Sequence, residues 1–391
     1  MSEATAISQL PVRTLMGPGP SNVHPRVLKA MATPVIGHLD PAFLKLMDEM
    51  MDNLRRLFRT QNRFTIAVSG TGSAGMETAL VNILEPDDKI LVCVAGVFGE
   101  RMCDVASRCG AEVARVETPW GDIIRPEQVS AALKQDKFKA VAIVHAETST
   151  GAHQPLKEIA ALAHQHGALF VADTVTSLAG VEVSVDDWGI DVCYSGTQKC
   201  ISCPPGLAPI TFNERAMEAV RARKTKVQSW YLDMTMVERY WGAERFYHHT
   251  APISMLYALA ESLQLIMEEG LEARLARHAR LGAALHTGLL AMGLPLLAKE
   301  GYRLPMLTPV AIPDGVDDVA IRKQLLADYN LEIGSGLGAF KGKAWRIGLM
   351  GESCSQANVL LVLSALETLL SKQRIALIPG AGLAAALARL T

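Results

Sequence analysis

The chain has 391 residues, of which 49% are apolar and 20% charged, and its formal net charge is −2. That length exceeds one ordinary core and implies two or three domains, and the near-neutral charge gives no basis for a nucleic-acid or anionic-membrane partner. No apolar run reaches the roughly 18 residues that a membrane-spanning helix needs.

In chain order, the first twenty residues end in GPGP (17–20) and are expected to form an extended arm (1–20) without regular structure. The opening MSEATAISQLPV has no basic segment ahead of an apolar one, so no secretory signal is expected. Strand candidates recur at 64–70, 89–96, 111–117, 139–147, 168–174, 191–196 and 207–213, with helical patterns between them such as 75–84 and 156–167. Near-continuous apolar strands alternating with helices predict an α/β fold. Its mostly parallel seven-stranded sheet is covered on both faces and lies in a large domain over 21–265. From 255 to 293 the pattern reads as one long helix, followed by an α/β segment containing TPVAIP (308–313) and AWRIGLM (344–350). A smaller C-terminal α/β domain (266–391), hinged on that helix, is the expected result. It ends in a short helix at AGLAAALARL (381–390), and ALARLT carries no peroxisomal address. The seven cysteines are scattered and odd in number, which fits reduced thiols in a cytoplasmic protein.

Gly70, Gly72 and Gly75 spell GxGxxG between a strand and a helix, the outline of a dinucleotide fingerprint. That fingerprint needs an acidic residue about 20 positions on, at the end of the next strand. Here Asp87 and Asp88 precede the strand instead, so the nicotinamide reading fails. A phosphate on the backbone N–H groups of a helix start needs only the turn and the dipole, and Thr71 and Ser73 would add hydroxyls. The same glycines would equally serve a tight structural turn. Asp173 closes ALFVAD, at the kind of strand end where open α/β sheets place ligands. Lys199 follows 26 residues later in SGTQK, after another buried strand. Alone it reads as a lysine reaching out of a loop. With a carboxylate suited to a pyridinium nitrogen and a phosphate-binding turn, it reads as the amine that bonds pyridoxal 5′-phosphate (PLP). Cys200 and Cys203 form a CxxC, but a structural zinc site needs a second pair and none occurs, so the spacing is read as chance and no metal is expected.

The segments GPGPSNVHPRVLKAM, SGTGSAGMETALVNILEPDD, HAETSTG, VADTVTSLAG, DVCYSGTQKCISCPPG, RKTKVQSWYLD, YHHTAPISMLYALAESL and WRIGLMG occur in that order. They resemble the alanine–glyoxylate / serine–pyruvate aminotransferase family, class V with PLP fold type I, over about residues 15–370. The resemblance implies that Lys199 is the Schiff-base lysine and proton shuttle and that Asp173 partners the pyridine nitrogen. Thr71, Gly72, Ser73 and Gln198 match positions that bind the cofactor phosphate. Tyr247 and Thr250 match residues that reach it from the other subunit, which implies a homodimer. Thr148 stands near the cofactor's phenolic oxygen. Arg346 matches the residue gripping the substrate carboxylate, and its planar fork suits that role. Phe98 occupies the position where animal members stack a tryptophan on the cofactor ring, so aromatic stacking is expected to persist with less area.

His248 and His249, taken as strand neighbours, would face opposite sides and are read as hydrogen-bonding groups near a dimer interface rather than metal ligands. Gly334, Gly336 and Gly338 are read as a turn near the substrate entrance, and Met16, Met31, Met47, Met50 and Met51 as core or interface filler. The desulfurase branch needs a reactive cysteine before the arginine, whereas Cys354 follows Arg346. With one arginine for a carboxylate, the expected reaction is ping-pong transamination from alanine or serine to glyoxylate or pyruvate. Ureidoglycine–glyoxylate, pyridoxamine–pyruvate and 2-aminoethylphosphonate–pyruvate transfer are the alternatives, decided by the pocket around His38 and His248. A non-catalytic regulator of the same fold would carry a DNA-binding extension, for which the irregular arm has no room.

Overall fold

The computed structural model describes residues 7–390; the first six residues of the expected arm and Thr391 lie outside the described residues. The central sheet comprises β1 (Phe64–Ser69), β2 (Lys89–Val94), β3 (Glu112–Glu117), β4 (Ala140–Val144), β5 (Leu169–Asp173), β6 (Val192–Tyr194) and β7 (Leu207–Phe212). Their order is β1-β7-β6-β5-β4-β2-β3, and only β7 runs against its neighbours, β1 and β6. β4 and β5 are buried along their whole length, as continuous apolar runs should be when both faces are covered. β3 departs from that expectation. It is the sheet edge, and its exposed Glu112, Arg115 and Glu117 guard unpaired backbone against a further strand.

The register sets Val144 beside Asp173 and Asp173 beside Tyr194, so β4, β5 and β6 end level with one another. Near that end start the helices that follow β1 and β2. In chain order the helices used below are α1 (Pro25–Met31), α2 (Pro41–Phe58), α3 (Gly72–Ile83) and α4 (Val97–Arg108). α2 begins with Asp40 accepting from Ala42 N–H at 2.8 Å and buries Phe43, Met47, Met50 and Leu54 on one face.

The long helix expected over 255–293 is two helices, α5 (Ile253–Glu269) and α6 (Leu271–Ala291). They meet at Gly270, whose φ of +83° is left-handed and breaks the helical path. Beyond it, β8 (Leu307–Ala311), β9 (Gly334–Ser335) and β10 (Ala344–Gly348) form an antiparallel sheet in the order β8-β10-β9. Two hydrophobic cores result. One spans the large sheet, and the other joins α6, Trp345 and Ile347 of β10, and Val362, Leu363 and Leu366. We propose the division 1–20, 21–265 and 266–391 on that basis, although Leu304, Met306 and Met350 pack into the first core.

The arm is more regular than its composition suggests. Ile7–Gln9 makes a 3₁₀ turn, and Thr14–Leu15 pairs in parallel with Leu331–Glu332. Met16 is buried in the second core. GPGP itself is irregular, and proline offers no N–H to a ladder. Among the described residues no helix is long and apolar enough to cross a membrane.

Candidate active site

A cavity of about 210 Å³ opens where β4 and β5 end, and Thr71, Gly72, Ser73, Phe98, Thr148, Asp173, Gln198 and Lys199 all line it. Residues spread over 128 positions of sequence (199 − 71) therefore meet at one mouth of the sheet. Thr71 precedes α3 in an extended conformation, and its side chain makes no capping hydrogen bond. The first turn of α3 consequently presents N–H groups and the positive end of the helix dipole to the cavity. Gly70 takes φ +132°, and a Cβ on Gly72 would stand 2.8 Å from Val175, so these glycines serve turn and packing as well as access. The Gln198 Oε1 is buried without a hydrogen-bond partner among the described residues.

Asp173 is 4% exposed at the end of β5 and accepts from Val175 N–H at 2.8 Å. Burial raises its carboxyl to about 6, against the pull of that N–H, the Tyr194 hydroxyl, Lys199 and Arg101. The Tyr194 hydroxyl beside it is buried without a well-formed hydrogen bond among the described residues. Lys199 is held the other way. Burial first, and Arg346 second, bring its ammonium down to about 8, so the neutral amine is within reach near pH 7. Its Nζ donates to the Pro18 carbonyl of the arm. Gly19 follows with φ +111°, and a Cβ there would lie 2.5 Å from Lys199 Nζ, so the arm covers the lysine at a point only glycine fits. Ser21 ties the arm down by donating its N–H to the Gln198 carbonyl and its hydroxyl to the Lys199 carbonyl, both at 2.9 Å.

Two charged groups at this site carried no assignment from sequence. Arg101, three residues after Phe98 on α4, stacks its guanidinium 4.9 Å from the Phe98 ring and donates to Ser73 Oγ at 3.3 Å. The i, i+3 spacing is the signal that would have found it. Glu147, within HAETSTG, is 1% exposed and raised to about 7, chiefly by burial. Arg346 on β10 is buried beside the cavity, donating from Nε to the Ser335 carbonyl at 2.7 Å and from Nη1 to the Thr148 carbonyl at 3.4 Å. Burial lowers it to about 10, opposed by Glu147.

Other expected residues lie elsewhere in the protomer. His38, Tyr247 and Thr250 do not line the cavity, and Arg346 is not among its lining residues either, reaching it only through the Thr148 carbonyl. His38 packs 5.3 Å from the Tyr247 ring, and Tyr240 donates its hydroxyl to the His38 carbonyl at 3.3 Å. His248 and His249 are not on a strand, as had been expected, but in a loop, and their Nδ1 atoms lie 2.8 Å apart. The alternation rule does not apply to that irregular backbone. The glycine-rich 334–338 segment is also only partly a turn, since Gly334 and Ser335 form β9 against Arg346 and Trp345. Cys200 and Cys203 are buried thiols pushed up to about 12 by burial.

An uncapped helix start, a buried carboxylate, an amine of lowered basicity and an aromatic face converge here. They fit the phosphate, ring nitrogen, aldehyde carbon and ring face of PLP respectively. The family model for aminotransferase class V matches residues 15–343. The (S)-ureidoglycine–glyoxylate transaminase of Bacillus subtilis is 44% identical over 96% of this chain and 95% of its own. A crystal structure of alanine–glyoxylate aminotransferase from Nostoc sp. superposes with TM-score 0.92 at 48% identity, covering 94% of this chain and 97% of that one. One of pyridoxamine–pyruvate aminotransferase from Mesorhizobium loti gives 0.93 at 31% identity, covering 99% and 98%. The chain thus belongs to the class-V aminotransferases of PLP fold type I, and its cofactor is pyridoxal 5′-phosphate.

Proposed function

We propose that this aminotransferase takes its amino group from a small, uncharged donor, alanine or serine, and delivers it to glyoxylate or pyruvate in a ping-pong cycle. The observation that carries this reading is the pair of guanidiniums at the site. Arg346 is buried close enough to Lys199 to depress its basicity, and its Nη2 has no partner among the described residues. Arg101 is already engaged by Ser73 and Phe98. Arg346 is thus the guanidinium with an unengaged nitrogen, for one substrate carboxylate, and no second clamp for a side-chain acid stands beside it among the described residues.

When bound, PLP supplies the electron sink that makes the substrate Cα–H acidic. The α3 N-terminus, Ser73 and Gln198 would bind its phosphate, and Phe98 would lie against its ring. Asp173 would hold a proton on the ring nitrogen, since a buried carboxylate stabilises a cation beside it. Arg346 would orient the substrate carboxylate, placing Cα–H near Lys199 Nζ, which takes that proton as base. The arm at Pro18–Gly19 would exclude water from the lysine.

A second reading, ureidoglycine as donor with glyoxylate as acceptor, is supported by the 44% identity to the Bacillus enzyme. Titrating the holoenzyme's visible band with alanine, serine, ureidoglycine, pyridoxamine and glutamate separates these. Bleaching at the lowest concentrations by alanine or serine is expected; ureidoglycine as the most potent donor would favour the second reading, and preference for glutamate or aspartate would sink both.

We also propose that a second copy completes the site. Tyr247 is 54% exposed, beside exposed Phe246 and near Trp230, which stacks on His248 with 4.4 Å between centroids. Such an aromatic patch on a protomer marks an interface. Light scattering of the holoenzyme should give twice the chain mass, and a monomer at micromolar concentration would refute the shared site. The seven cysteines are all unpaired, which supports the cytoplasm as its location.

A further inference from the structure

α4 carries Phe98 but begins at Gly96, which has no side chain with which to cap it. The missing cap is supplied from some fifty residues away. Val97 N–H donates to Ser149 Oγ at 3.0 Å, and Phe98 N–H donates to Glu147 Oε2 at 3.1 Å. Glu147 Oε1 in turn accepts from the Ser149 hydroxyl at 2.6 Å and the Ser149 N–H at 3.1 Å. The bare glycine makes room for this arrangement. A Cβ on Gly96 would stand 2.4 Å from Ser149 Oγ and 2.7 Å from Glu147 Cδ.

An ordinary helix is capped by its own serine, threonine, aspartate or asparagine, with no buried carboxylate involved. A fully buried glutamate without an ion pair is uncommon, and here its lone pairs are met by N–H and O–H donors alone. Between the two capping residues lies Thr148, which lines the cavity and whose carbonyl accepts from Arg346 Nη1. The residue against the cofactor ring and the residue for the substrate carboxylate therefore hang on one tripeptide. We propose that Glu147 is a positioning residue: with Ser149 it caps α4 from outside and so holds Phe98 and Arg346 in register across one cavity. This rests on reading the cavity as the cofactor site, as above.

Glu147→Gln replaces one acceptor oxygen with an NH₂ donor, which must face either Phe98 N–H or the Ser149 donors, so half the cap is lost. The KM for both amino donor and oxo acid should rise about fivefold, the affinity equivalent of one helix cap, while kcat changes less. The visible circular dichroism of the bound cofactor should weaken, because Phe98 no longer fixes the ring. Ser149→Ala should give the same pair of changes, and the double variant should be no worse than either alone, as for two parts of one device. Lowered thermal stability with wild-type KM and dichroism, or additive effects in the double variant, would overturn the proposal. If Glu147→Gln does not fold, Ser149→Ala decides by the same readouts. Loss of the cofactor band from the unmutated protein would instead sink the reading of the cavity itself.

Discussion

Lys199→Ala should abolish the visible absorption that marks cofactor attached to the enzyme and lower kcat by at least about 10⁴-fold. A positioned base alone contributes about 10²–10⁴-fold, and this variant also removes the covalent anchor. The structure explains why no neighbour substitutes. The groups acting on the lysine are the Pro18 carbonyl, which has no proton to move, Arg346, whose guanidinium stays protonated, and the Cys200 thiol, which burial pushes up to about 12 and so keeps protonated. Asp173, raised to about 6, accepts from the Val175 N–H and, in the proposed site, would serve the ring nitrogen. Single-turnover measurement with alanine is the clean test, because it isolates proton transfer from product release. Turnover within about tenfold of wild type would mean that Lys199 is not the base. The lowered ammonium also gives a pH dependence with a definite sign. As pH rises through about 8, Lys199 loses its proton, so the capacity of the free amine to act as base grows with pH over that range.

Arg346→Ala should lower kcat/KM by about 10²–10³-fold for the amino donor and for the oxo-acid acceptor alike. Truncating one partner of a buried charged pair costs about 2–5 kcal/mol, and in the proposed cycle both half-reactions would use the same guanidinium. The cofactor band should survive, since Arg346 lies on β10 and donates to the Ser335 and Thr148 carbonyls, not to the helix start at Thr71–Ser73. Arg346→Lys should recover little, because an ammonium cannot reproduce the planar fork. A loss confined to one half-reaction would show that another group binds the second substrate's carboxylate.

How much of this was legible beforehand depended on whether the signal was local. β4 and β5 read correctly because continuous apolar runs bounded by turns are set by local sequence once both faces are covered. Asp173 and the Thr71–Ser73 turn were placed by strand ends, which are local features too, and Lys199 gained meaning by joining them. β3 also lies where the pattern at 111–117 places a strand; only its expected burial on both faces fails, because an edge strand keeps charged residues. The 255–293 helix was read as continuous because a single glycine is tolerated in a helical pattern, and only the backbone at Gly270 shows it taking a left-handed value. His248 and His249 do hydrogen-bond, as the sequence reading has it, but from a loop, so the strand alternation used to reach that reading does not apply.

The sequence by itself determined the sheet-forming rhythm, the family and the residues proposed for the chemistry, since each rests on short-range pattern or chain-wide resemblance. Tertiary structure alone decided the contacts that neither local pattern nor resemblance names. It brought the Pro18–Gly19 arm onto Lys199, set Arg101 against Phe98 and Ser73, and gave Glu147 and Ser149 the work of capping a helix that starts some fifty residues earlier. None of these contacts has a spacing rule, because each joins segments whose separation along the chain is arbitrary and whose meeting is fixed by how strands order within the sheet.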